Sequence, residues 1–124
     1  MKNKKGFTLV ELLAVIVILA IILVIAVPKI LTVIDDTRIE SMKSSAKMII
    51  DSAEREYATR VALGTSTTMT CADVASFNTA DFTCTLSIPS GTATVSLTGV
   101  AGGKFAGKCV VGGTRASLSV TACV

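Results

Sequence analysis

A chain of 124 residues and 12.8 kDa has room for one domain, yet 51% of it is apolar and only 17% is charged. The surplus sits in one place: Leu12 to Val27 are sixteen consecutive apolar residues, a poor fit to a uniformly soluble globule. Three of the twelve basic residues are Lys2, Lys4 and Lys5, so the net +3 belongs to the first six positions and the remainder is neutral. Bulk charge therefore gives no case for nucleic acid as a partner. With no His and no Trp, the commonest general acid/base and the commonest zinc-ligating nitrogen are missing. Neither catalysis nor a cofactor is expected.

Phe7 to Val27 spans about 31 Å as a helix, the thickness of a bilayer core at roughly 30 Å. Lysines crowd its N-terminal side, while Pro28, Lys29, Asp35 and Asp36 follow it. The positive-inside bias then places residues 1–6 in the cytoplasm and everything after Pro28 outside. A secretory signal peptide also begins with basic residues and an apolar run. This run is longer than the usual one, however, and no convincing small-x-small cleavage site precedes the proline.

Glu11 stands out at the start of the apolar helix. A carboxylate at mid-bilayer costs about 2.5–3.5 kcal/mol on insertion scales and normally marks a partner. A second reading is local: Thr8 and Glu11 have the S/T-x-x-E spacing of a capping box, with the acid also well placed against the helix dipole. Both readings remain open on the sequence.

The stretch Lys5-Gly6-Phe7-Thr8-Leu9-Val10-Glu11-Leu12-Leu13, after a short basic leader and before an apolar helix carrying Pro28, resembles the N-terminus of a type IV prepilin over about residues 1–55. The resemblance implies that a membrane-embedded prepilin peptidase cuts between Gly6 and Phe7 and methylates the new Phe7 amine. Glycine suits such a bond, because a residue without Cβ lets a protease approach the backbone closely. By the same resemblance Glu11 pairs with the Phe7 amine of a neighbouring copy during assembly, and the helix breaks at Pro28 on leaving the membrane. On the residues alone, Pro28 is equally a plain boundary proline.

Beyond the membrane segment, Ile39, Met42, Ala46, Ile49, Ala53, Tyr57 and Val61 recur at three- and four-residue intervals, an amphipathic helix reaching about Leu63. Gly64 is its stop. From Phe7 to Leu63 the helix would measure about 85 Å, too long for a compact domain to bury. Its polar face carries six basic and six acidic residues between Lys29 and Arg60, with opposite charges four apart at Lys47/Asp51, Asp51/Arg55 and Glu56/Arg60. Such pairs are worth about 0.2–0.5 kcal/mol each within one chain, with charge matching between copies as the sharper alternative.

Composition changes at Gly64 to Thr, Ser, Gly and Ala. Residues Thr65 to Thr83 read as a loop. Strands are expected over Cys84 to Ile88, Thr92 to Thr98, Lys104 to Val111 and Ala116 to Val124, separated by Pro- and Gly-bearing turns. Ala93, Val95 and Leu97 alternate on one strand, and Leu118, Val120, Ala122 and Val124 on another, so each turns one face to the helix. Such a head of about sixty residues cannot bury much, and Cys71, Cys84, Cys109 and Cys123 lie on the oxidising side of the membrane. Three pairings are open. Cys71 with Cys84 and Cys109 with Cys123 are favoured, since each closes a short loop worth about 3 kcal/mol. Zinc held by four thiolates is the rival, without a C-x-x-C spacing to support it.

The expected fold class is thus α+β, a long N-terminal helix on a small antiparallel sheet, in four segments: a leader (1–6), a transmembrane and assembly helix (7–27), an amphipathic helix (28–63) and an extracellular disulfide-bonded head (64–124). The function the resemblance implies is that of a structural subunit. It is inserted as a single-pass membrane precursor, processed at Gly6 and polymerised through its helix into an extracellular homo-oligomeric filament of the kind used in cell adhesion. Its partners would be the prepilin peptidase, an assembly platform and minor pilins. The alternative is a pseudopilin of a type II secretion or competence system. A DNA-capturing subunit ranks third, with only Lys104, Lys108 and Arg115 as head cations against Asp73 and Asp81.

Overall fold

A computed structural model describes residues 6–123. The leader lysines Lys2, Lys4 and Lys5, and Val124 at the end of the last expected strand, lie outside the described residues. The elements in chain order are helix α1 (Leu9–Leu63), a short helix α2 (Cys71–Val74) and strands β1 (Phe82–Ser87), β2 (Thr94–Gly99), β3 (Lys108–Gly113) and β4 (Thr121–Ala122). The strands form one antiparallel meander in the order β1-β2-β3-β4. A long N-terminal helix packed on a small antiparallel sheet is the general architecture of pilins. Two compact units partition the chain, one ending at Asp36 and the other beginning at Thr37.

In the first unit α1 carries Pro28 within it. Proline has no N–H to donate to the carbonyl of Val24, four residues back, and its ring crowds that turn. Helical conformation nevertheless continues on both sides.

In the second unit α1 ends where glycine permits it. Gly64 takes φ +68°, its N–H donates to the Val61 carbonyl at 3.2 Å, and the Thr65 N–H donates to the Arg60 carbonyl at 2.9 Å. These two bonds form a Schellman cap. Arg60 also reaches forward, donating to the carbonyls of Ser66 (3.3 Å) and Thr68 (3.0 Å) while pairing with Glu56 at 2.8 Å. The guanidinium thus fixes the start of the connection that sequence alone reads as irregular.

The core lies between one face of α1 and the inner face of the sheet. Met42, Ala46, Ile49, Ile50 and Ala53 from the helix meet Ala93, Val95, Leu97 and Val110 from the sheet, with Met69, Phe82 and Phe105 closing the sides. The predicted helix stripe agrees at its centre and departs at its ends. Ile39 is half-buried, Val61 is exposed, and Ile50 joins the core beside Ile49. Packing extends along the helix only as far as the sheet does, with Tyr57 at its margin. The outer face of β1 and β2 pairs hydroxyl side chains directly across the strands: Thr83 with Thr98, Thr85 with Ser96, and Ser87 with Thr94. The pleat sends alternate residues to water, and Thr83 and Thr85 donate to the carbonyls of Thr98 and Ser96, each at 3.4 Å.

Two expected strands are shorter than the pattern suggests. Residues 100–107 form successive turns, with Gly103 N–H donating to Val100 O (2.9 Å), Ala106 N–H to Gly103 O (3.2 Å) and Lys108 N–H to Phe105 O (3.0 Å). This winding drives Phe105 into the core, where it is 1% exposed and its ring meets Phe82 at 5.8 Å. The strand expected from Lys104 therefore begins at Lys108. Near the C-terminus, Thr114 and Ser117 close a tight turn on each other, so the strand expected from Ala116 shrinks to Thr121–Ala122. Leu118 and Val120 still pack on the core without pairing, while Ala122 is exposed.

Gly99 is needed for space. A Cβ there would collide with the carbonyl oxygen of Phe105, which is backbone and cannot swing aside. Gly99→Ala is expected to cost about 1–3 kcal/mol, the usual range for overpacking. Thermal denaturation should show this as a midpoint lowered by several degrees, whereas an unchanged midpoint would contradict so close an approach.

Candidate functional site

The N-terminal site is built from Gly6, Phe7, Thr8 and Glu11. Thr8 precedes α1 and caps it: the Glu11 N–H donates to Thr8 Oγ1 at 3.2 Å, and the Thr8 N–H donates to Glu11 Oε2, also at 3.2 Å. The capping box read from the spacing is thus formed, giving two orphan donors of the first turn their acceptors. It engages one carboxylate oxygen of Glu11. An ionised carboxylate offers about four lone-pair sites, so the box and a second, cationic partner are compatible.

Gly6 and Phe7 lie outside the helix. Phe7 is 90% exposed, and a Cβ on Gly6 would meet nothing within 4 Å. The fold therefore makes no steric demand for glycine at this position.

Below the cap, every large hydrophobic side chain from Phe7 to Ile34 is exposed; Ile34, the least so, still shows 42% of its surface. Among the described residues α1 is the one helix long and apolar enough to cross a membrane. These features fit a membrane-anchored precursor. The uncovered stretch continues past Lys29 through Ile30, Leu31, Val33 and Ile34, beyond the apolar run that the composition marks.

In the head, Cys71 bonds to Cys84 across 13 residues and Cys109 to Cys123 across 14. The first ties α2 to β1. The second holds the residue after β4 against β3, where the Cys123 N–H also donates to the Gly107 carbonyl at 3.0 Å. All four thiols of the zinc alternative are consumed in these bonds. Among the described residues, no group of three or more His, Cys, Asp or Glu could hold a metal.

Arg115, in the connection between β3 and β4, donates to Asp51 Oδ1 (2.7 Å) and Glu54 Oε2 (2.6 Å) on α1, with its Nε also 3.0 Å from Glu54. Glu54 further accepts from the Ala93 N–H at 3.5 Å. The two carboxylates hold the guanidinium pKa above its ordinary value, Glu54 contributing most. Asp51 is thus engaged by the head, and Arg55 donates instead to the Asp51 carbonyl at 3.3 Å. Of the predicted helix pairs, Glu56/Arg60 is formed. The clamp joins residues 61 positions apart, a separation for which the sequence carries no local signal. It also removes the best cation from the DNA-capturing reading, and Lys104 lies over the Phe105 ring at 5.0 Å.

A second capping box carries the same spacing signal in the sequence. Thr70 and Asp73 repeat the spacing of Thr8 and Glu11, and Asp73 Oδ2 accepts from the Thr70 N–H at 2.7 Å and from its hydroxyl at 3.0 Å. These two bonds, backbone first, hold the Asp73 carboxyl below the usual aspartate range, with Arg60 adding to the effect and slight burial opposing it.

Residues 1–27 match the family model of the prokaryotic N-terminal methylation motif, which is typical of type IV prepilins. The match covers the leader, the Gly6-Phe7 bond, Glu11 and the apolar run. No curated protein and no solved structure gives a significant match. The motif and the long apolar helix together are consistent with a pilin-like structural subunit.

Proposed function

We propose that the chain is a type IV pilin: a precursor cut by a prepilin peptidase between Gly6 and Phe7, methylated on the Phe7 amine and polymerised into an extracellular filament. The observation that carries this reading is an apolar helix that no described residue of its own unit covers, within a matched methylation motif. Apolar surface on this scale must be covered. Lipid covers it before assembly, and other copies of the same helix cover it afterwards.

The N-terminal geometry supports the same reading. The fold gives Gly6 no steric reason to be glycine, so the requirement comes from outside the chain, as it would for a peptidase that grips the backbone. Phe7, exposed and ahead of the first helical turn, is accessible for cutting and methylation. Glu11 is anchored by the capping box with acceptor capacity to spare. In the assembled filament it receives the charged Phe7 amine of a neighbour, which supplies the cation that a carboxylate in hydrocarbon requires. The segments then have distinct tasks: residues 1–6 are discarded, 7–27 anchor and assemble, 28–63 carry the head, and 64–124 form its durable, disulfide-bonded surface.

Mass spectrometry of the N-terminus of protein recovered from its native cell tests the proposal. A chain beginning at Phe7 with one added methyl group on the amine is expected. A chain still beginning at Met1, or cut elsewhere, would overturn it.

A further inference from the structure

On the filament reading above, we infer that neighbouring copies are joined by a second charge pair, between Lys29 of one copy and the Asp35–Asp36 step of the next, set by the same axial stagger that brings the Phe7 amine to Glu11. Three observations lead there. The first is length. Exposed apolar side chains on α1 run from Leu9 to Ile34, which at about 1.5 Å per residue is roughly 39 Å of helix against a hydrocarbon core of about 30 Å. The final turns carry Ile30, Leu31, Val33 and Ile34 beyond what lipid covers, and no side chain of their own unit buries them. Another copy of α1, bearing the same surplus, is the partner that matches them.

The second observation is the direction of the offset. For the amine of one copy to stand beside Glu11 of its neighbour, the first copy must be displaced toward the C-terminal end of α1 by at least the four residues from Phe7 to Glu11, about 6 Å. Side-chain reach widens the allowed offset to roughly 10 Å. A displacement of the same sign lifts Lys29 toward Asp35 and Asp36 of the neighbour, which lie about 9–10.5 Å further along the helix. One stagger therefore satisfies both pairs, and the opposite stagger satisfies neither.

The third observation is azimuth. Consecutive residues point about 100° apart around a helix, so Asp35 and Asp36 together offer a carboxylate over a wide arc. A lysine on a flexible four-carbon stem is suited to such a target. Within one chain Lys29 and Asp36 are about two turns apart, beyond the three- and four-residue spacings at which helical side chains meet. A direct Lys29–Asp36 contact is hence a contact between copies.

The test is zero-length carbodiimide cross-linking of native filaments from cells switched from isotopically light to heavy medium, so that one membrane pool, and each filament grown from it, holds copies of both isotopes. Peptides joining Lys29 of one isotope to Asp35 or Asp36 of the other are expected, at a yield that falls at least several-fold in high salt. In parallel, Lys29→Glu should lower filament yield about tenfold, and adding Asp35→Lys and Asp36→Lys to that variant should restore most of it. Filaments that form normally but give no such mixed-isotope peptide would overturn this inference alone. A wild-type chain that makes no filaments would overturn the pilin reading, and this inference with it.

Discussion

Glu11→Gln should insert into the membrane as well as the wild-type chain and yet fail to accumulate as filament. Glutamine can still serve at the third position of a capping box, so the bond from the Thr8 N–H to the side-chain oxygen is kept and only the charge is lost. A charge-assisted hydrogen bond is worth about 1.5–3 kcal/mol. Forfeiting it at every subunit addition would raise the membrane concentration needed for growth by roughly 10- to 150-fold, at tenfold per 1.4 kcal/mol. Thr8→Ala separates the two roles of the site: it removes the hydroxyl that accepts from the Glu11 N–H but leaves the carboxylate charged. A cap alone is worth about 1 kcal/mol, so that variant should assemble with a modest loss. Comparing filament yield with membrane-inserted precursor for the two variants decides the matter. Normal assembly by Glu11→Gln would show that the local cap is all this carboxylate does.

The second large effect concerns the head. Cys109→Ser with Cys123→Ser opens a loop of 14 residues, and Cys71→Ser with Cys84→Ser opens one of 13. Each bond is worth about 3 kcal/mol in the chain-entropy model, while a core of this size rarely supplies more than about 3–5 kcal/mol. Loss of either bond should leave a head that melts far below the wild type, and loss of both should leave it unfolded. Denaturant melts of the full chain in detergent, with and without reductant, measure this. A midpoint indifferent to reduction would mean that the Met42-to-Ala53 face of α1 and the sheet suffice on their own.

How much was legible follows from where each signal lives. The apolar run, the Thr8–Glu11 cap and the Gly64 stop are local, and the structure places them as the spacing does. The strand order was legible too, because alternation in Ala93, Val95 and Leu97 between short turns leaves little room for anything but a meander. Phe105 falls in the strand pattern but outside the strand, because its burial depends on the chain doubling back at Gly102 and Gly107, both at positive φ, to reach Phe82. That is a tertiary gain which outweighs local β preference. Leu118 and Val120 alternate like a strand and pack on the core, but the β3–β4 pairing stops at Thr121, so the pattern reports burial without pairing. Arg115 lay furthest from view, because a guanidinium in a connection chooses its carboxylates by fold geometry alone.

Both disulfides join residues of the head, and neither has a cysteine on α1. A chain pulled from its two ends can therefore peel the sheet from the helix without breaking a covalent bond, but the two closed loops stay reeled in. At about 3.3–3.6 Å per extended residue, they withhold roughly 80 Å of slack that only a reductant releases. Under tension the subunit would act as a tether with a built-in stop.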